Sequence, residues 1–143
     1  KRTKDQRGSI MAGMSGGDVF ARVFLGAVDT ALSATFYDGA LGALGIRNLG
    51  PFGHGWILYG REKPAFIIAR PGDGEAPSSN GVTIGFAAAT TAEVDAFHAA
   101  GLPNGGTDDG APGTRSHLPG AYAADLRDPA ANQVCSHPLT DGN

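Results

Sequence analysis

Arg22-Val-Phe-Leu-Gly-Ala-Val-Asp29, with Thr30–Gly45 directly behind it, decides the fold. Val23, Leu25 and Ala27 alternate with Arg22, Phe24 and Gly26, the period of two that marks a strand. Asp29 stands where a helix N-cap belongs, its carboxylate placed to accept from the N–H groups that a first turn leaves free. Leu32, Phe36, Ala40 and Leu44 then recur on one helical face, and Gly45 suits the left-handed residue that ends a helix. An offset of 61 residues brings the layout back: Ile84 and Phe86 stand for Val23 and Leu25, Thr90 for Asp29, and Phe97 for Phe36. Gly101 closes the second helix. Strand, cap and aromatic sharing one offset predict a tandem repeat of a strand–helix unit.

The 143 residues make one domain, or two half-size units obliged to share a core. Apolar content of 41% suffices for that core, and no run approaches the roughly 20 apolar residues of a membrane span. The formal charge is −3, although Lys1, Arg2, Lys4 and Arg7 supply four of the eleven basic residues. The remainder is more acidic still, which argues against nucleic-acid binding by the globular part. A single Cys135 excludes an internal disulfide and fits a reducing compartment, so a cytoplasmic protein is expected.

Residues 1–18 lack periodicity and read as a disordered or expression-derived leader, with a native start near Met11 or Met14; the alternative is a basic arm that contacts a partner. Residues 19–138 form the single domain, in modules of about 20–71 and 81–138, and 139–143 are a tail. In the first module Ile46–Leu49 reads as a short strand and Gly50-Pro51-Phe52-Gly53 as a turn. Trp56–Tyr59 and Ala65–Arg70 read as strands joined by the tight Arg61-Glu-Lys-Pro64 connection, and Pro71–Asn80 as a linker. In the second module Leu102–Gly120 reads as a long loop with a short strand at its start. Ala121–Arg127 and Gln133–His137 then pair around Asp128–Asn132. Each half is therefore β-α-β-β-β, an α+β arrangement of two paired modules.

This pattern resembles the vicinal oxygen chelate superfamily, the glyoxalase, bleomycin-resistance and extradiol-dioxygenase group. The likeness is carried by Gly26-Ala-Val-Asp29, Ser33, Phe36-Tyr37-Asp38, Leu44-Gly45, Phe86-Ala-Ala88, Val94-Asp-Ala-Phe97 and Asp128-Pro129…Asn132. Tyr59-Gly-Arg61, Lys63-Pro64, Gly110-Ala-Pro-Gly113, Arg115, His117 and Pro119-Gly120 are similar to a bacterial glyoxalase-like subgroup. The resemblance implies a mixed sheet curled around a cavity, a small-molecule ligand and a homodimer. It also implies metal ligands on the first strand, the fifth strand and the last strand. Those places hold Arg22, Thr83 and Cys135. A guanidinium has no lone pair to give, and one thiolate with one hydroxyl does not make a transition-metal site.

Strand alternation sends Arg22, Thr83 and Cys135 to the cavity side, with Gln133 and His137 beside Cys135. A buried Arg22 would need acceptors, either a protein carboxylate or a bound anion. Arg115 and His117 lie on the long loop, where binding residues and lids concentrate; His117, as an imidazole, is the candidate acid–base residue. Trp56 and Phe66 are read as core or cavity wall, and His98 as solvent-facing. Ala131 stands where the family's turn has glycine, so a different turn type is expected there. The expected ligand-binding set is Arg22, Thr83, Cys135, Arg115, His117, Trp56 and Phe66, with no metal ligand and no cofactor. The function expected is binding of a small, anionic organic molecule. The alternative is a lyase, isomerase or dioxygenase with a non-standard divalent-metal site, or a metal-free mechanism using His117 and Arg22.

Overall fold

The computed structural model describes residues 19–139, so residues 1–18, for which a leader is expected, and residues 140–143 lie outside the described residues. The first module runs β1 (Val23–Gly26), α1 (Thr30–Gly42), β2 (Arg47–Phe52), β3 (Trp56–Gly60) and β4 (Phe66–Ala69). The second runs β5 (Thr83–Ala88), α2 (Thr91–Gly101), a 3₁₀ turn (Leu102–Asn104), β6 (Thr107–Arg115), β7 (Leu118–Arg127) and β8 (Gln133–Pro138). Each module makes its own four-stranded mixed sheet, in the orders β1-β4-β3-β2 and β5-β8-β7-β6. The first strand of each pairs in parallel with the last, Val23 opposite Phe66 and Thr83 opposite Gln133; the other pairings are antiparallel. The architecture is α+β, two βαβββ modules. No helix among the described residues is long and apolar enough to cross a membrane.

Both helices start as their caps dictate. Asp29 Oδ1 accepts from Leu32 N at 3.1 Å, and Thr90 Oγ1 accepts from Glu93 N at 3.2 Å. Glu93 answers by accepting from Ala89 N at 2.9 Å, a reciprocal arrangement that satisfies two free donors. The helices share one core in which Phe36, Tyr37, Tyr59, Phe66, Phe86 and Phe97 are buried. Burying each such ring contributes roughly 1.5–3 kcal/mol. Val23, Leu25 and Ala27, like Ile84, Phe86 and Ala88, pack into that core, so Arg22, Phe24, Thr83 and Gly85 fall on the opposite faces of their sheets.

Several local expectations are corrected. Gly101 is the last residue of α2, but with right-handed backbone (φ −69°); the left-handed residue is Gly105 (φ 103°), which caps the 3₁₀ turn that follows. Gly101 is instead a packing glycine, since a Cβ there would lie 2.5 Å from Leu126 Cδ1 and 3.0 Å from Phe36 Cε1. The stretch Gly50-Pro51-Phe52 is strand rather than turn. Asn48 pairs with Tyr59 and Gly50 with Leu58, leaving Leu49 as a bulge, and Pro51 is tolerated because β2 is an edge strand. Residues 107–115 are likewise strand. β6 is the other edge, and its three register shifts erase the alternation that would have revealed it. Ala131 does adopt the left-handed backbone, at φ 67°. His98 is not solvent-facing: it is 9% exposed, with Nε2 2.8 Å from Asp108 Oδ1.

Polar contacts pin the modules together. Asp128 Oδ2 accepts from Tyr37 Oη at 2.6 Å and from Asn132 Nδ2 at 3.0 Å, and Asn132 Nδ2 also donates to Gly26 O at 2.9 Å. Arg61 donates to Leu44 O and, at 3.0 Å, to Ala87 O.

Candidate functional site

A crevice of about 780 Å³ opens between the edge of the first sheet at β1 and the edge of the second at β5. Its depth is apolar, formed by Val23, Ile46, Phe66, Ile84 and Phe86, all turned toward the shared core. Its mouth is polar and exposed, with Arg22 on the approach to β1 and Arg61, Glu62 and Lys63 on the β3–β4 connection. Three cations thus face one carboxylate. Arg22 makes no ion pair among the described residues, whereas Arg61 spends its donors on backbone carbonyls of both modules.

Tyr59 lies at the crevice wall, with its hydroxyl donating to Asp38 Oδ1 at 2.8 Å. Burial first, and then that carboxylate, push the phenol well above its ordinary pKa. Tyr59 therefore stays protonated and serves as a fixed wall rather than as an acid–base group.

The residues of the expected ligand-binding set are divided among four places. Arg22 and Phe66 belong to the crevice. Arg22 is exposed rather than buried, because it precedes β1 instead of standing within it. Thr83, Cys135 and Arg115 belong to the second sheet. Thr83 is exposed at the start of β5. Cys135 is half-buried between Gly85 and Asp125 in the ladder. A Cβ at Gly85 would lie 3.5 Å from Cys135 Sγ and 3.4 Å from His137 Nε2, so the glycine leaves room for both side chains over β5. Burial, reinforced by the Asp125 carboxylate and opposed by Arg115, pushes the Cys135 thiol up to about 12.

Arg115 and His117 do not sit on a long loop. Arg115 ends β6, its guanidinium 3.0 Å from Asp125 Oδ2 and donating to Gly110 O at 3.2 Å and Ala111 O at 3.1 Å. Those donors close its own bulged hairpin. His117 is exposed in the two-residue turn between β6 and β7. Trp56 stands on the first sheet's open face, its ring edge-on to Phe24 at 4.9 Å and tilted against Phe52 at 6.0 Å.

Of the chelating positions of the resembled family, Arg22 lines the crevice and Thr83 and Cys135 do not; those two stand on adjacent paired strands of the second sheet, with Cys135 opposite Gly85. Among the described residues no group of three or more His, Cys, Asp or Glu side chains is placed to hold a metal ion. A guanidinium has no lone pair to give a metal. Sequence reasoning passed over Arg61, Glu62 and Lys63 as site residues. The signal available was a charged tight connection, but only the folded hairpin brings it to the mouth of the crevice.

No family model matches the chain, nor does any curated protein. Among solved structures the chain is similar to a glyoxalase/bleomycin resistance protein from Albidiferax ferrireducens T118, at 39% identity and a TM-score of 0.74. That likeness covers 85% of this chain and 98% of that one. It is also similar to a lactoylglutathione lyase from Agrobacterium tumefaciens at 17% identity (87% and 96% covered, TM-score 0.59). An antibiotic binding protein from Streptomyces sp. CB03234, TnmS3, matches at 18% (83% and 93% covered, TM-score 0.56). The last two are likenesses of fold alone.

Proposed function

The chain belongs to the glyoxalase/bleomycin resistance protein family, and from that membership we propose that it binds a small, anionic organic molecule in the crevice between its modules, without the family's usual metal triad. The observation that carries this reading is the pairing of an apolar depth with a cation-rich mouth. A volume of about 780 Å³ lies within the range of small-molecule sites. The ligand's hydrocarbon body would displace water from Phe66 and Phe86. Its carboxylate or phosphate would take two parallel bonds from the Arg22 guanidinium, and Lys63 would add a mobile second charge.

The same reading includes a homodimer. Phe52 is 61% exposed and Phe24 is 43% exposed; with Trp56 they form an aromatic ladder on the first sheet's open face. A second copy of the chain would cover it through an isologous contact. Sedimentation at micromolar concentration should give a dimer, and a monomer there removes this part of the proposal.

Thermal-shift measurement across small carboxylates and phosphates tests the binding claim. A matched acid at a hundredfold excess over its Kd should stabilise the protein by about 2.7 kcal/mol, and Arg22→Gln should weaken it about tenfold or more. The proposal fails if no acid stabilises the protein, or if Arg22→Gln binds as well as the parent. Metal analysis of the purified protein supplies the contrast: a stoichiometric divalent ion would favour the lyase, isomerase or dioxygenase reading.

A further inference from the structure

A second cavity, of about 360 Å³, lies where the first turn of α1 meets the linker and the β7–β8 turn. Its wall is mostly apolar, from Val28, Leu32, Pro77, Pro129 and Ala130. Two polar side chains break that wall. Ser33 lines the cavity and is 1% exposed, yet its Oγ has no hydrogen-bond partner among the described residues. A buried hydroxyl left unpaired costs free energy, and most such groups in folded proteins are satisfied. Asp29 also lines the cavity. It caps α1 through Oδ1 only, which leaves Oδ2 available. Ser33 N donates to Asp29 O at 3.3 Å, so Ser33 stands one turn into α1 from the capping residue.

The head group that suits this pair is a hydrogen-bond donor. A helix N-terminus ordinarily attracts anions, but here the Asp29 carboxylate already occupies that position and would repel another. We propose that this cavity binds a small primary amine. Its hydrocarbon body would lie against Leu32, Pro77 and Pro129, and its ammonium would donate to Asp29 Oδ2 and Ser33 Oγ. The site is separate from the crevice, shares none of its lining residues, and selects for the opposite charge.

The test uses the full chain labelled with ¹⁵N and titrated with cyclohexylamine, cyclohexanol and cyclohexanecarboxylate at matched concentrations. The amine should shift the amides of Val28, Leu32, Ala76 and Ala130 saturably, and about tenfold tighter than the alcohol, as a charge-assisted bond requires. Asp29→Asn keeps a capping acceptor and should weaken the amine to the level of the alcohol. Ser33→Ala should weaken both and leave the fold intact. The inference is overturned if the carboxylate shifts those amides as strongly as the amine. It is equally overturned if the amine's shifts gather around Arg22 and Lys63, or if neither variant changes its affinity. The crevice proposal stands or falls on different residues, so the two failures are distinguishable.

Discussion

Replacing Ala131 with glycine should make this protein more stable, against the usual direction of an alanine-to-glycine change. Ala131 has φ 67° and is the one non-glycine residue with a positive φ among the described residues. For an L-residue that conformation costs roughly 1–2 kcal/mol. The surrounding turn enforces it: Asp128 Oδ1 accepts from Ala130 N at 2.8 Å and Asn132 N at 2.9 Å. Ala131 N donates to Asp128 O at 2.8 Å, and Asp128 N to Asn132 O at 2.9 Å. Four bonds at about 1 kcal/mol each outweigh the strain, which is why the turn holds with an unfavoured residue in it. Glycine would keep all four, because only backbone atoms of residue 131 take part. The methyl group is exposed, so little burial is lost. Against the relief stands the greater freedom of glycine in the unfolded chain, about 0.4–1 kcal/mol. The net gain is about 0.5–1 kcal/mol, which for a chain of this size raises Tm by about 2–4 °C. Urea unfolding should show a higher midpoint at an unchanged m-value. An unchanged or lower midpoint would mean that the alanine is not strained there, and the account of the turn would fall.

Two other substitutions follow from buried groups. Ser136 is fully buried on the core side of β8 with an unpartnered Oγ among the described residues, so Ser136→Ala should raise stability by about 1 kcal/mol in urea unfolding; a loss would show that the hydroxyl is satisfied. The Cys135 thiol, pushed from 9.0 up to about 12, should react with iodoacetamide at pH 8 at least about a hundredfold more slowly in the native protein than in urea. Its linkage has a definite sign: below pH 9 the contribution is fully present, and between pH 9 and 12 the unfolded chain loses the proton first, so stability falls as pH rises. Cys135→Ala should flatten that fall, and parallel pH profiles for the two proteins would contradict the burial assigned to the thiol.

The repeat was legible because its signals are local. A cap such as Asp29 or Thr90, and an alternation such as Val23, Leu25, Ala27, need only a few neighbours to be read. The edge strands were not. In β2 and β6 one side of the ladder is free, so glycine, proline and bulges are tolerated, and the tolerance removes the very pattern that marks a strand. The face assignment of Arg22, Thr83 and Cys135 also followed from alternation, but alternation does not say which of the three line the crevice, and only Arg22 does. Arg22 leaves the sheet before β1 begins, and the crevice takes its walls from Ile84–Ala87 rather than Thr83. His98 was misplaced for a related reason: helical position suggested solvent, while its partner Asp108 lies on β6, a strand the sequence disguised.

The division of labour at the seam explains why the crevice lies where it does. Among the described residues the two sheets share no ladder, and no strand pairing closes the gap between β1 and β5. The modules are joined instead behind that gap, where α1 and α2 cross over Gly101 and where Tyr37, Asp128 and Asn132 reach from one module to the other. Arg61 adds a clamp at the gap itself, holding Ala87 of β5 from the β3–β4 connection. A duplicated unit that packs through its helices leaves its two first strands on either side of the seam, each paired within its own sheet and not with the other. The space between them is then a cavity as a matter of geometry, with apolar depth because both strands turn their core faces toward it. Its mouth carries Arg22, Arg61, Glu62 and Lys63, on strand-end and connecting positions that are the part of a repeat free to differ between one copy and the other.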